Sequence, residues 1–164
     1  MAERKVARSM LDLPTQDELL SMSGLETMQK MVRGELAGPP IAHLMGYRLT
    51  EVDDGRAVFT GIPNFEVTNP MGTVHGGWYG TLLDSCMACA VQTKLKPGQL
   101  YTTLEYKINI IRPIPIGTTV HAIGTVHHAG RSTGIADGEI RGVEDGRLYA
   151  MGSTTCIVIN APTM

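Results

Sequence analysis

Between Val74 and Thr93 the chain carries a single carboxylate, Asp84, nine positions after the His75 that opens a His75-Gly76-Gly77 run. An acid in so apolar a stretch is costly to bury unless it is paired or used, which marks Asp84 as the first candidate for base or nucleophile chemistry. Aspartate is also a poor mid-helix residue and is rarely fully buried. The segment reads as a helix entered through glycines. Gly76 and Gly77 let the backbone approach a ligand closely, and the first-turn N–H groups of a helix can stabilise a developing oxyanion. Gly77 and Asp84 are seven residues apart, roughly two turns, so they share one helical face. One short stretch is therefore expected to supply both an electrophile-polarising end and a base or nucleophile. Taken singly, a Gly-Gly pair is more often a turn and a lone His more often structural, so the weight rests on Asp84.

The rest of the chain has to position that segment. With 164 residues, 43% hydrophobic and 18% charged, the chain is long enough for one well-cored globular unit and too short for two. A net charge of -2 with interspersed signs leaves no polybasic run, which argues against nucleic acid or an anionic membrane as the main partner. The start, Met1-Ala2-Glu3-Arg4-Lys5, leads into a mixed polar stretch, and no run of about twenty apolar residues follows anywhere, so neither a signal peptide nor a membrane span is expected. Of the 3 cysteines, Cys86 and Cys89 form an isolated C-x-x-C without a second pair. These read as small buried hydrophobes in a reducing cytoplasm. His127 and His128 are adjacent, and on a strand adjacent side chains point to opposite faces, so they do not make a metal site there. No metal and no organic cofactor is expected.

Two regions differ in character. Residues 1–38 are Met-rich and polar, and Thr15-Gln16-Asp17-Glu18 matches a capping box. This predicts an N-terminal helical extension of one or two helices, broken near Gly24 and ended by Gly38-Pro39-Pro40. Residues 39–164 form the main domain, strand-like from Ile41. Tyr47 to Val52 and Arg56 to Ile62 read as a hairpin across Asp53-Asp54-Gly55. A loop over 63–74 leads to the central helix, roughly 77–93, which Pro97-Gly98 closes. The period then changes to two: Leu100, Thr102, Leu104, Tyr106, Ile108 and Ile110 alternate with Thr103, Glu105, Lys107 and Asn109, predicting a long half-buried strand. Strands near 118–129, 132–143 and 147–159 follow, punctuated by Gly130-Arg131 and Glu144-Asp145-Gly146. One apolar helix and several long antiparallel strands have a compact α+β solution, a curled antiparallel β-sheet wrapped around one central helix.

The run Asn69-Pro70-Met71-Gly72-Thr73-Val74-His75-Gly76-Gly77, six further residues and then Asp84 resembles the active-site signature of hotdog-fold acyl-CoA thioesterases, in their phenylacetate-pathway (PaaI-type) branch. Thr102-Thr103-Leu104-Glu105, Arg112-Pro113, Gly130-Arg131 and Gly146-Arg147-Leu148-Tyr149-Ala150-Met151-Gly152 resemble that family in order and spacing, over roughly residues 40–160. The resemblance implies the hotdog fold and hydrolysis of an acyl-CoA thioester, aryl or medium-chain, without a cofactor. It implies that the Gly76 N–H polarises the thioester carbonyl and that Asn69 adds a side-chain donor. Asp84 would be the nucleophile or the general base that activates water, Thr103 would help hold that water, and His75 would orient the loop. Gly77, Gly130 and Arg131 are implied in substrate or CoA binding.

Thioester hydrolysis suits this set: a thiolate leaves easily, so the protein needs charge stabilisation on the carbonyl oxygen and a base for water. The resemblance also implies self-association, a homotetramer with a homodimer as the minimum, and an active site at the dimer interface. Long edge strands that must be paired or covered fit this. The rival reading is an acyl-CoA-binding regulatory module without catalysis, against which Asn69, Asp84 and Thr103 together argue. Trp78 and Tyr79 are candidates to stack on an aryl acyl group or to pack in the core. Arg131, Arg112, Lys94 and Lys96 are candidate partners of the CoA phosphates.

Overall fold

Thr15 caps the first helix, α1 (Gln16–Ser21), in a computed structural model that describes residues 5–161. Its hydroxyl accepts from the Glu18 N–H at 3.2 Å and its own N–H donates to the Glu18 carboxylate at 2.9 Å, the reciprocal pair the sequence predicts. Ser23 caps α2 (Gly24–Arg33) by accepting from the Glu26 N–H. Gly34, in the left-handed region at φ 76°, ends α2 before the expected stop at Gly38. The strand-like onset expected at Ile41 is also corrected. Pro40 opens a one-turn helix, α3 (Pro40–Leu44), because a proline at the first helical position lacks only an N–H that would go unpaired there.

Six strands follow the order β1-β2-β4-β5-β6-β3, every neighbouring pair antiparallel. They are β1 (Tyr47–Asp53), β2 (Arg56–Gly61), β3 (Gln99–Ile110), β4 (Val120–Ala129), β5 (Thr133–Gly142) and β6 (Leu148–Asn160). β1 and β2 turn through Asp54-Gly55, with Gly55 at φ 78°, as a tight hairpin requires. The sheet curls around α4 (Gly76–Gln92), which is buried on most of its surface by Trp78, Leu82, Leu83, Cys86, Met87, Ala90 and Val91. Two strand glycines allow this approach. A β-carbon at Gly124 would run into the Cys86 carbonyl, and one at Gly138 would come within 2.6 Å of the Met87 side chain.

β3 departs from the simple alternation expected of it. The register against β6 shifts between Thr103 and Glu105, a bulge centred on Leu104. Ahead of the bulge, Tyr101 and Thr103 face α4. Beyond it, Tyr106, Ile108 and Ile110 do, lying against Gly80 and Gly76. Leu104 is 59% exposed, where the unbroken pattern would bury it.

β1 and β3 are the two ends of the sheet, and the N-terminal helices bridge the opening between them. α2 packs on β1 and α4, α3 packs on β1, and α1 touches β3. Backbone bonds fasten this strap to the segment after α4, from the Gly24 N–H to the Leu95 carbonyl (3.0 Å) and from the Gly98 N–H to the Leu20 carbonyl (2.8 Å). Among the described residues no helix is long and apolar enough to cross a membrane.

Candidate active site

His75 is the N-cap of α4. Its Nδ1 accepts from the Gly77 N–H at 2.8 Å and its carbonyl accepts from the Trp78 N–H at 2.9 Å. Gly77 therefore has its N–H engaged within the chain. The Gly76 N–H, by contrast, has no hydrogen-bond partner among the described residues and stands at the positive end of the helix dipole. Asn69 organises the loop that leads there. Its Oδ1 accepts from the Met71 and Thr73 N–H groups at 3.0 and 3.2 Å, and its Nδ2 donates to the Thr73 hydroxyl at 2.9 Å. That leaves one Nδ2 proton for an outside acceptor.

Asp84 lies two turns further along α4, half-buried, beside the first half of β3. The Thr103 hydroxyl donates to its Oδ1 at 2.9 Å. Desolvation raises the Asp84 carboxyl above the usual carboxylate range, and the Thr103 hydrogen bond partly opposes it. The neighbouring groups are neutral: burial pushes the Cys89 thiol up to about 12 and the Tyr47 phenol up to about 12. Tyr47 shares a 2.9 Å hydrogen bond with Ser85, a pair that sequence patterning does not reveal because the partners are 38 residues apart.

Gly76 and Asp84 are eight residues apart on a straight helix, about 12 Å along its axis. The free N–H and the carboxylate of one chain are therefore too far apart to act on a single thioester carbon. One stretch of each chain carries both groups, as the sequence predicts, and the spacing agrees with the expectation that the site lies between two chains. Trp78 and Tyr79 are each 2% exposed, with Trp78 Nε1 donating to the Met45 carbonyl and the Tyr79 hydroxyl accepting from the Ile114 N–H. They pack the core and present no ring to a ligand. Lys94, Lys96, Gly130 and Arg131 line one cavity of about 330 Å³ at the C-terminal end of α4. Arg112 lies past the opposite end of β3 and is not part of it.

The thioesterase superfamily model matches residues 71–149, from the loop before α4 through Asp84, β3, β4 and β5 to the start of β6. Acyl-coenzyme A thioesterase PaaI of Escherichia coli is 30% identical over 99 residues, covering 60% of this chain and 69% of that protein. The chain belongs to the thioesterase superfamily. Its place is in the PaaI-type branch of these hotdog-fold thioester hydrolases. The solved structure of E. coli PaaI superposes with a TM-score of 0.72 at 24% identity, covering 87% of this chain and 97% of that one. F42H10.6 of Caenorhabditis elegans, named as an esterase, is 29% identical over 105 residues, 64% of this chain and 62% of that protein. The match thus spans less than two thirds of that relative's length. A Streptococcus pneumoniae thioesterase protein solved with coenzyme A superposes with a TM-score of 0.65 at 26% identity, covering 75% and 93% of the two chains.

Proposed function

We propose that this chain hydrolyses an acyl-CoA thioester, with an aryl or medium-chain acyl group, to the free acid and CoA. The observation that carries this reading is Asp84: a carboxylate half-buried in an apolar helix, held by the Thr103 hydroxyl and less acidic than usual. Such a group either attacks the thioester carbonyl or takes a proton from water as water attacks. Both routes place negative charge on the carbonyl oxygen, for which the unpaired Gly76 N–H and the remaining Asn69 Nδ2 proton are suited donors. One such donor is worth roughly 2.7–4 kcal/mol to the transition state.

The 12 Å rise between Gly76 and Asp84 favours a site shared by two copies. β3 is an end strand of the sheet, and Leu104, Tyr106 and Ile110 are exposed along it. Gly80 lies midway between Gly76 and Asp84. A two-fold axis at its level would set the Gly76 end of one copy beside Asp84 of the other. Pairing of β3 with β3 thus makes the homodimer the working unit, with a homotetramer as its expected higher assembly. In the cavity at the C-terminal end of α4, Lys96 and Arg131 supply positive charge for the CoA phosphates, in keeping with the CoA-bound relative, while Lys94 is paired with Asp54 at 2.7 Å. The chain works in the cytoplasm.

The test is thiol release from a panel of acyl-CoAs by the wild-type chain and by Asp84→Asn. The variant keeps its shape and its binding of CoA thioesters and loses kcat by about 10²-fold or more. Near wild-type turnover in the variant would remove Asp84 from the chemistry, and binding without thiol release in the wild type would favour a regulatory acyl-CoA module.

A further inference from the structure

Beneath the N-terminal strap lies a cavity of about 780 Å³ between α2, the β1–β2 hairpin and α4. Its roof includes Met28 and Met31 of α2, and its α4 wall is Ser85, Cys89 and Gln92. Ser85 is the residue after Asp84. Tyr101, also in the lining, belongs to the same half of β3 as Thr103, which bonds Asp84. From Ser85 to Gln92 the wall runs about 10 Å along the helix. The volume lies in the range of small-ligand pockets.

We propose that this cavity holds the acyl group of the thioester, that the group is a flexible unbranched aliphatic chain, and that Met28 and Met31 set the length it admits. This rests on the hydrolase reading above. The polar groups of the α4 wall are already paired, Ser85 with Tyr47 at 2.9 Å and Gln92 with Tyr101 at 3.3 Å, so the wall invites an apolar occupant. An aryl group would gain most from an open ring face. Tyr47 and Phe59, also in the lining, are instead packed edge to face on each other, with centroids 5.8 Å apart at 81°. Trp78 and Tyr79, beside the catalytic turn, are shut in the core. Methionine side chains are unbranched and adaptable, and they fit chains of differing length better than a rigid wall does. The roof lies outside residues 71–149, the stretch matched by the superfamily model, so the methionines that select the substrate are not part of that matched stretch.

The test measures binding of S-alkyl-CoA thioethers, which cannot be hydrolysed, from acetyl length to palmitoyl length by calorimetry. For the wild type, Kd falls about fourfold per added methylene until the cavity is full and then levels off. In Met31→Trp the levelling comes at a shorter chain, with a loss of at least about tenfold at the length the wild type binds best. In Met31→Ala it comes at a longer one. Circular dichroism checks that both variants are folded. A wild-type Kd independent of chain length, or a levelling point that neither variant moves, overturns the proposal. Absence of thiol release from every acyl-CoA sinks the hydrolase reading separately, since thioether binding reports on the cavity whether or not the chain is catalytic.

Discussion

The two flanks of α4 are built in opposite ways. Against β4 and β5 the helix is pressed so closely that glycine is required at Gly124 and Gly138, and the space beyond Cys86 and Met87 is filled by the sheet itself. Against the strap, the same helix borders a cavity of about 780 Å³ under two methionines. The tight flank fixes where Asp84 stands; the loose flank leaves room for something that varies. A hydrolase acting on substrates with one common reacting group and a changeable tail needs this asymmetry, because close packing resists change of volume on one side and not on the other.

The sharpest way to break the comparison is at Gly124. Gly124→Ala puts a methyl group into the Cys86 carbonyl, which is helix backbone and cannot swing away. A loss of about 3 kcal/mol is expected, at the upper end of overpacking costs, and a fall in Tm of roughly 6–12 °C. A melting curve like that of the wild type would mean that the flank is looser than described.

Thr103→Val tests the seam between the flanks. It removes the hydroxyl that donates to Asp84 while keeping the volume, so about a tenfold loss of kcat/KM at neutral pH is expected. Because that hydrogen bond lowers the Asp84 pKa, its removal also moves the acidic limb of the pH–rate profile to higher pH. A limb that stays in place would uncouple Thr103 from the ionisation of Asp84.

Met31→Ala, on the loose flank, should cost less than about 1 kcal/mol in chemical denaturation, because Met31 already borders empty space and is only half-buried. A loss comparable to that of Gly124→Ala would erase the distinction between the flanks.

The smallest effect concerns Asp84 itself. Its folded-state pKa is raised, so the folded chain holds the proton more tightly than the unfolded chain does. Stability is then lost as pH rises from the unfolded carboxylate value of about 3.9 through the raised folded value, and the deficit stays in place above it. Asp84→Asn, neutral throughout, should melt slightly higher than the wild type at pH 7 and match it at the acid end. An equal Tm difference at both ends would mean that charge burial is not the cause.

Elements with local signals were legible in the sequence. The Thr15–Glu18 box, the Asp54-Gly55 turn and the apolar run of α4 each announce themselves within a few residues, and the structure has them. The candidate site was legible as a set of residues, since Asp84 and Thr103 do meet. The spacing of Gly76 and Asp84 along α4 was legible too, because it follows from helix geometry. The loop-building role of Asn69 was not, because it depends on bonds to Met71 and Thr73. Trp78 and Tyr79 have the same residue types whether they stack on a ligand or fill a core, and only their 2% exposure separates the two. The bulge in β3 left no trace because Leu104 is an ordinary strand residue. The pairing partner, far off in β6, decides where the extra residue goes.

That bulge gives β3 an arithmetic of its own. With Leu104 counted, Thr103 and Ile108 both point at α4, although they are an odd number of residues apart. In a regular strand, side chains on one face are always an even number apart. Loss of one residue here would straighten the strand and leave both inward sets where they are. Loss of one residue anywhere else between Tyr106 and Ile110 would turn part of the set outward. β3 therefore tolerates length changes by parity and position rather than by size, and a strand without the bulge would align with it face for face only across a gap at residue 104.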